Sequence, residues 1–223
     1  MIITIDGPSG TGKSTIARML ADKLQMTYFD TGSMYRSFAW FLIDRGVDIA
    51  DSSALEKATG EFKFSILDQQ SGKRYQVGST DVTEVIRTAE ITSLASKAAA
   101  LRVVRDLLSS TQRAYGLKGD AVFEGRDLGT VIFPDAEIKI FLTARPEVRA
   151  KRRHAELVAK NPSHVHSESA ILSAINQRDE FDSTREIAPL RCPADAFSVD
   201  TSDLSVDQVI EKILNYIQLK KRS

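Results

Sequence analysis

Hydrophobic positions along the chain change period repeatedly, from short solid runs to helical spacing and back. Ile2-Ile3-Thr4-Ile5 is short and apolar enough for a buried strand, and a glycine-rich turn follows it. Ile16, Leu20 and Leu24, with Ala17 and Ala21 alongside, then recur at the spacing of one helix face. Tyr28-Phe29-Asp30, Ala121-Val122-Phe123-Glu124, Ile138-Lys139-Ile140-Phe141-Leu142 and Ala196-Phe197-Ser198-Val199-Asp200 predict four further strands. From about Ser205 to Lys221, apolar residues at Val206, Val209, Ile210, Ile213, Leu214 and Ile217 predict an amphipathic helix covering a sheet. Strands alternating with helices predict an α/β fold with a parallel five-stranded sheet flanked by helices.

Two stretches interrupt the alternation. Phe62 to Leu67 and Arg74 to Val77 are β-like runs joined by Ser71-Gly72, which predicts a small antiparallel insert with a hairpin turn. Residues 145 to 185 are polar and charged, include Asn161-Pro162, and predict helices with a mobile connection. Neither an internal repeat nor a low-complexity linker is visible.

Composition narrows the class. The 223 residues are 42% hydrophobic with one cysteine, Cys192, which suits a globular core and excludes an internal disulfide framework. With neither an 18-residue apolar run nor a signal-peptide pattern at the start, the expectation is a cytoplasmic protein without a membrane partner. Net charge is zero, 30 basic against 30 acidic residues, which argues against a polyanion-coating protein. The balance is uneven, however. Residues 91–153 hold 12 basic and 7 acidic side chains, an excess of 5 that the flanking segments cancel.

The most specific motif is Gly7-Pro8-Ser9-Gly10-Thr11-Gly12-Lys13-Ser14, a complete G-x-x-x-x-G-K-[ST] loop between a strand and a helix. Glycines allow backbone N–H groups to converge on phosphate oxygens, and the following helix N-terminus adds attraction for anions. Lys13 is expected to reach the β- and γ-phosphates of a nucleoside triphosphate, and the Ser14 hydroxyl to ligate Mg²⁺, with Thr15 completing the nucleotide-binding segment. The loop identifies a phosphate donor and leaves the acceptor open.

Arginine supplies the next signal. Arg36, Arg126, Arg145, Arg149, Arg152, Arg153, Arg178 and Arg185 lie where strands end or helices begin. If the acceptor is also a phosphate, two polyanions must meet, and one pair of unit charges about 4 Å apart costs roughly 4 kcal/mol at an effective dielectric near 20. Several guanidinium forks would offset that repulsion. Glu124-Gly125-Arg126-Asp127 stands at a strand end, where α/β sites form. Arg178, Asp182 and Arg185 have i, i+4, i+7 spacing, which places them on one helix face and which a surface ion-pair ladder explains nearly as well as a site does. Asp30-Thr31-Gly32-Ser33-Met34-Tyr35-Arg36 offers hydroxyls, a phenol and a guanidinium at a strand-to-helix junction.

Taken in order, Ile3-Thr4-Ile5-Asp6-Gly7-Pro8-Ser9-Gly10 with Gly12-Lys13-Ser14, Asp30-Thr31-Gly32 with Tyr35-Arg36, Ile86-Arg87-Thr88, Gly125 to Val131 with Phe133-Pro134-Asp135, Arg178-Asp179 and Ala188-Pro189-Leu190 resemble the bacterial cytidylate kinases. These are nucleoside monophosphate kinases of the P-loop superfamily, and the likeness runs from Ile2 to the C-terminal helix. It implies a core in residues 1–36, 91–144 and 186–223, a CMP-binding insert over 37–90 with the small antiparallel sheet, and a helical lid with its adjoining helix over 145–185. It implies Mg²⁺-dependent transfer from ATP to CMP or dCMP in the cytoplasm, with no nucleic acid, membrane or obligatory protein partner. Arg36, Arg126 and Arg185 would grip the acceptor phosphate, Ser96, Arg105 and Asp127 would read cytosine, and Tyr35, Arg178 and Asp182 would contact the sugar, with Thr31 in the same CMP set. A carboxylate at Asp127 suits the amino group of cytosine, where uracil has a carbonyl. From the lid, Arg149 would act beside Lys13, Arg126 and Arg185 in catalysis, and Arg153 would join the ATP site.

A phosphate nucleophile is already anionic, so catalysis reduces to positioning and charge neutralisation. Competing readings are a UMP or dTMP kinase, then a kinase of a small alcohol with Asp127 or Asp30 as base. A nucleotide-dependent switch or nucleic-acid motor is a different class. His154, His164 and His166 read as surface residues, and Cys192 as a loop packing residue.

Overall fold

The computed structural model describes residues 1–69, 72–160 and 167–221. In chain order the elements are β1 (Ile2–Asp6), α1 (Lys13–Leu24), β2 (Thr27–Asp30), α2 (Thr31–Asp44), α3 (Ser52–Glu61), β3 (Phe64–Gln69), β4 (Gly72–Val77) and β5 (Thr80–Asp81). Then come α4 (Ala89–Ala98), α5 (Arg102–Gly116), β6 (Ala121–Glu124), β7 (Ile138–Thr143), α6 (Pro146–Lys160), α7 (Glu168–Thr184), β8 (Phe197–Asp200) and α8 (Val206–Lys220). A 3₁₀ turn spans Val85–Arg87, and a wide turn of π type spans Leu128–Ile132. The chain forms two compact units, Met1–Phe29 with Gly116–Ser223, and Asp30–Tyr115.

The first unit holds the five-stranded sheet, in the order β2-β6-β1-β7-β8. β1 pairs in parallel with β6 on one side and β7 on the other, and β7 pairs in parallel with β8. The five strands are those the apolar runs predict. Because β1 lies between β6 and β7, its C-terminal end sits where strand order reverses, the place where open α/β sheets bind ligands. Ile3, Ile5, Ile140 and Leu142 of the central strands pack with Ile16 and Leu20 of α1 and with Val209, Ile213 and Ile217 of α8. Full burial of each such side chain is worth about 1.5–3 kcal/mol relative to exposure. α8 begins where the sequence predicts, with Ser205 and Gln208 forming a reciprocal capping box. Phe123 stacks obliquely with Phe29 and Phe133, at centroid distances of 5.0 and 4.6 Å.

The second unit contains the antiparallel sheet β3-β4-β5 and helices α2 to α5. Its core is a chain of rings, Phe38 edge-on to Phe62 at 5.0 Å and Phe64 stacked with Tyr75 at 6.2 Å. The predicted hairpin is present, but β3 begins at Phe64, because Phe62 closes α3 with its amide on the Ala58 carbonyl. The predicted turn residue Ser71, Asn161-Pro162, His164 and His166 lie outside the described residues. Within this unit α2 and α4 pack together, and the Tyr115 hydroxyl receives the Ile66 amide. Among the described residues no helix is long and apolar enough to cross a membrane.

Candidate active site

At the end of β1 the chain turns through Gly7 to Gly12 before α1 opens at Lys13. Gly7 has φ +145°, and a Cβ there would stand 2.1 Å from the Leu142 carbonyl oxygen, so only glycine lets the loop lie against β7. Gly12 caps α1 without a side-chain hydrogen bond, leaving the first-turn amides to an anion. Thr11 Oγ1 and Lys13 Nζ both donate to the Pro8 carbonyl oxygen, at 3.1 and 2.6 Å. Burial pushes the Lys13 ammonium well below its ordinary value; Arg126 and Arg178 act in the same direction, while Glu124 and Asp6 oppose them. Bound phosphates would reverse that shift.

Ser14 Oγ donates to Glu124 Oε2 at 2.8 Å, and the Tyr28 hydroxyl donates to the other oxygen of the same carboxylate. Glu124 is buried at the end of β6. Its proximity to Ser14 joins residues 110 apart in sequence. A hydroxyl and a carboxylate beside a phosphate loop are the hard oxygen donors that magnesium takes together with nucleotide oxygens.

Asp182 forms a second centre. Arg126 Nε donates to its Oδ2 at 3.1 Å, with Arg178 Nε 3.9 Å and Arg185 Nη1 3.8 Å from the same carboxylate. The Asp182 and Arg185 side chains are each 4% exposed, so the surface-ladder reading of their spacing does not hold. Arg185 also leaves the helical path, with φ −58° and ψ 142°, and its Nε meets the Ala188 carbonyl at 2.8 Å. Its Nη2 lies 3.4 Å from Asp127 Oδ1, which places Asp127 in the same cluster. Lys13, Arg126, Asp127, Arg178, Asp182 and Arg185 thus come together within the first unit.

Of the arginines predicted for the lid, Arg149 is buried and braces the phosphate loop. Its Nη1 donates to the Ser9 carbonyl at 3.1 Å and to Asp179 Oδ2 at 2.5 Å, and its Nε donates to Ala144. Arg145 pairs through both terminal nitrogens with Asp203, at 2.8 and 2.6 Å, and Arg152 donates to the hydroxyl and carbonyl of Thr201. Thr201 Oγ1 in turn lies 3.1 Å from the Thr11 carbonyl. Arg153 is an exposed partner of Glu156 at 3.0 Å. Cys192 is exposed, which corrects the packing role expected of it, and burial together with Asp6 raises its thiol pKa, the opposite of activation.

Thr31, Tyr35, Arg36, Ser96 and Arg105 belong to the second unit. Asp30 caps α2 through the Ser33 amide, and Arg36 Nη2 reaches Asp30 Oδ2 at 3.1 Å and Ser33 Oγ at 2.7 Å. Burial pushes the Asp30 carboxyl up, but Arg36, both Ser33 contacts and Arg87 outweigh it and hold the pKa below its ordinary value. Tyr75 joins this group, its phenol pushed up to about 12 by burial and by Asp30. Thr31 is buried in the first turn of α2, Ser96 is half-buried on α4, and Arg105 is buried on α5 with Nη1 on the Ala99 carbonyl at 3.2 Å.

Sequence reasoning missed Glu124, Tyr75 and Asp179 as members of these clusters. Glu124 had a usable signal, an acidic residue closing an apolar strand, and Asp179 had one in the Arg178-Asp179 motif, whereas Tyr75 had none.

The family model for cytidylate kinase matches residues 3–219. The cytidylate kinase of Protochlamydia amoebophila is 47% identical over 218 residues, covering 97% of this chain and 96% of the relative. That of Bacillus subtilis is 42% identical over 220 residues, covering 99% and 97%. A shikimate kinase structure from Bacteroides thetaiotaomicron shares the fold, with TM-score 0.50 at 12% identity and 98% of both chains covered.

Proposed function

The chain belongs to the cytidylate kinase family, and on that premise we propose how its residues divide the transfer of a phosphoryl group from ATP to CMP or dCMP. It is a phosphotransferase acting on CMP. The observation that carries the division of labour is the gathering of Lys13 with Arg126 and Arg178 in one unit, where burial first and the two guanidinium charges after it depress the Lys13 ammonium pKa. Cations held at that spacing repel one another until phosphates arrive between them.

Residues Gly7 to Thr15 bind the ATP phosphates, with Arg149 fixing the loop through Ser9 and Arg153 reaching the nucleotide from α6. Lys13 follows charge onto the transferred group. Ser14 and Glu124 would hold magnesium, which would supply neutralisation of phosphate charge. Arg126 and Arg185, steered by Asp182, bind the acceptor phosphate, and Asp127 accepts from the cytosine amino group. Arg178 and Asp182 face the sugar. From the second unit, Arg36 contacts the acceptor phosphate, Ser96 and Arg105 the base, Tyr35 the sugar and Thr31 CMP, a reading that rests on the resemblance of the surrounding motifs. The attacking oxygen is an anion near neutral pH, so no side chain need remove a proton.

The test is ADP release in the presence of ATP and magnesium, first alone and then with CMP, dCMP, UMP or dTMP. Rapid turnover is expected only with CMP and dCMP. Fast release without an acceptor, or none with CMP, overturns the assignment.

A further inference from the structure

The dipeptide Arg126-Asp127 is held at both ends by consecutive residues of β1. Before it, the Gly125 amide donates to the Ile5 carbonyl at 3.0 Å, which extends the β1–β6 ladder by one rung. After it, the Leu128 and Gly129 amides donate to Asp6 Oδ1 and Oδ2, at 3.0 and 2.8 Å. Each carboxylate oxygen takes one amide, so both orphan donors at the start of the wide turn find a partner in a single side chain. Asp6 is 1% exposed.

The fit around the second amide is tight. A Cβ on Gly129 would stand 3.0 Å from Pro193 Cγ, 3.1 Å from Thr4 Oγ1 and 3.3 Å from Lys139 Cδ. The turn therefore lies directly on β1 and β7. Asp127 itself has φ −139° and ψ 23°, outside the regular helical and strand regions, a conformation that needs support from its surroundings. Its carboxylate meets Arg185, and Arg126 meets Asp182, so the direction in which this dipeptide leaves β6 decides how both cationic contacts form.

We propose that Asp6 is a positioning residue for the acceptor: by clamping the Leu128 and Gly129 amides, it sets the orientation of Arg126 and Asp127. Because Asp6 directly precedes Gly7, the end of one strand carries both the donor loop and the clamp for the acceptor dipeptide. The carboxylate acts on the dipeptide through the backbone amides it accepts from. The consequence for CMP rests on the function proposed above; the clamp itself does not.

The experiment compares the parent protein with D6N and D6A in two measurements. In steady-state kinetics, loss of the two amide bonds should raise the KM for CMP about tenfold in D6A and less in D6N, whose single carbonyl oxygen can keep one amide. The KM for ATP should rise several-fold less than that for CMP, since the loop glycines are untouched and Asp6 acts on Lys13 only through its charge. An unchanged CMP KM, or equal rises for CMP and ATP, overturns the proposal. In amide hydrogen exchange on ligand-free protein, Leu128 and Gly129 should exchange at least about tenfold faster in D6A than in the parent, while the β7 amides keep their protection. Unchanged exchange at both positions overturns it. If D6A does not fold, D6N carries both measurements. If the parent itself does not phosphorylate CMP, the proposed function fails, and the exchange measurement alone decides on the clamp.

Discussion

Replacing Asp182 with asparagine isolates the charge at the centre of the arginine cluster while keeping its shape. The Arg126 contact at 3.1 Å corresponds to about 5 kcal/mol of Coulomb attraction at an effective dielectric of 20. The Arg178 and Arg185 separations of 3.9 and 3.8 Å add about 4 kcal/mol each on the same scale. Desolvating the carboxylate and the guanidinium groups cancels most of this gain. Removing one partner from a buried ion pair nevertheless costs about 3–5 kcal/mol, because the remaining charge stays buried without compensation. In D182N up to three guanidinium groups are left facing a neutral amide. The expected loss is therefore about 3–5 kcal/mol, read by urea unfolding, with a fall in Tm of about 10 °C for a chain of this size. Phosphate should restore more stability to D182N than to the parent, since it replaces the missing negative charge. A loss below about 1 kcal/mol would refute the reasoning, placing the cluster in water-like surroundings where ion pairs contribute little.

The remaining predictions concern the loop and the buried carboxylate. K13A should abolish ATP-dependent phosphorylation of CMP while the protein stays folded, because the buried ammonium of Lys13 stands on the loop; activity within about tenfold of the parent would contradict its role on the transferred phosphate. Asp6 is pushed up to about 7 by burial and by Asp127, against the opposing Gly129 and Leu128 amides and Lys13. The native state thus holds that proton more tightly than the unfolded chain, whose carboxylate titrates near 3.8. Its contribution to stability is full below about pH 4 and is lost as pH rises to about 7, by at most about 4 kcal/mol. Unfolding free energies of the parent minus those of D6N should fall across that window, and a flat difference would refute the shift.

The phosphate loop was legible because its chemistry is local. Strand, glycines, Lys13, Ser14 and helix follow one another, and Gly7 and Gly12 carry the positive φ values the turn requires. The five core strands were legible for a similar reason: residues buried on both faces of a sheet form solid apolar runs, as in Ile138 to Leu142. Arg126 and Asp127 could be picked out by position, at a strand end beside a glycine. The spacing of Arg178, Asp182 and Arg185 was visible too, but not its meaning, because a surface ladder and a buried junction have the same period.

What separated those readings was partners far along the chain. Arg126 and Asp182 are 56 residues apart, and Ser9 and Arg149 are 140 apart. Such pairs exist because the strand order places β1 between β6 and β7, stacking their C-terminal ends at one edge of the sheet. Apolar periodicity records which face of a segment is buried and carries no information about which segment lies alongside it. The donor loop, the strands and the supply of arginines could therefore be read residue by residue. The burial of Asp182, the partnership of Glu124 with Ser14 and the grip of Asp6 on two distant amides came into being only when the strands were set in order.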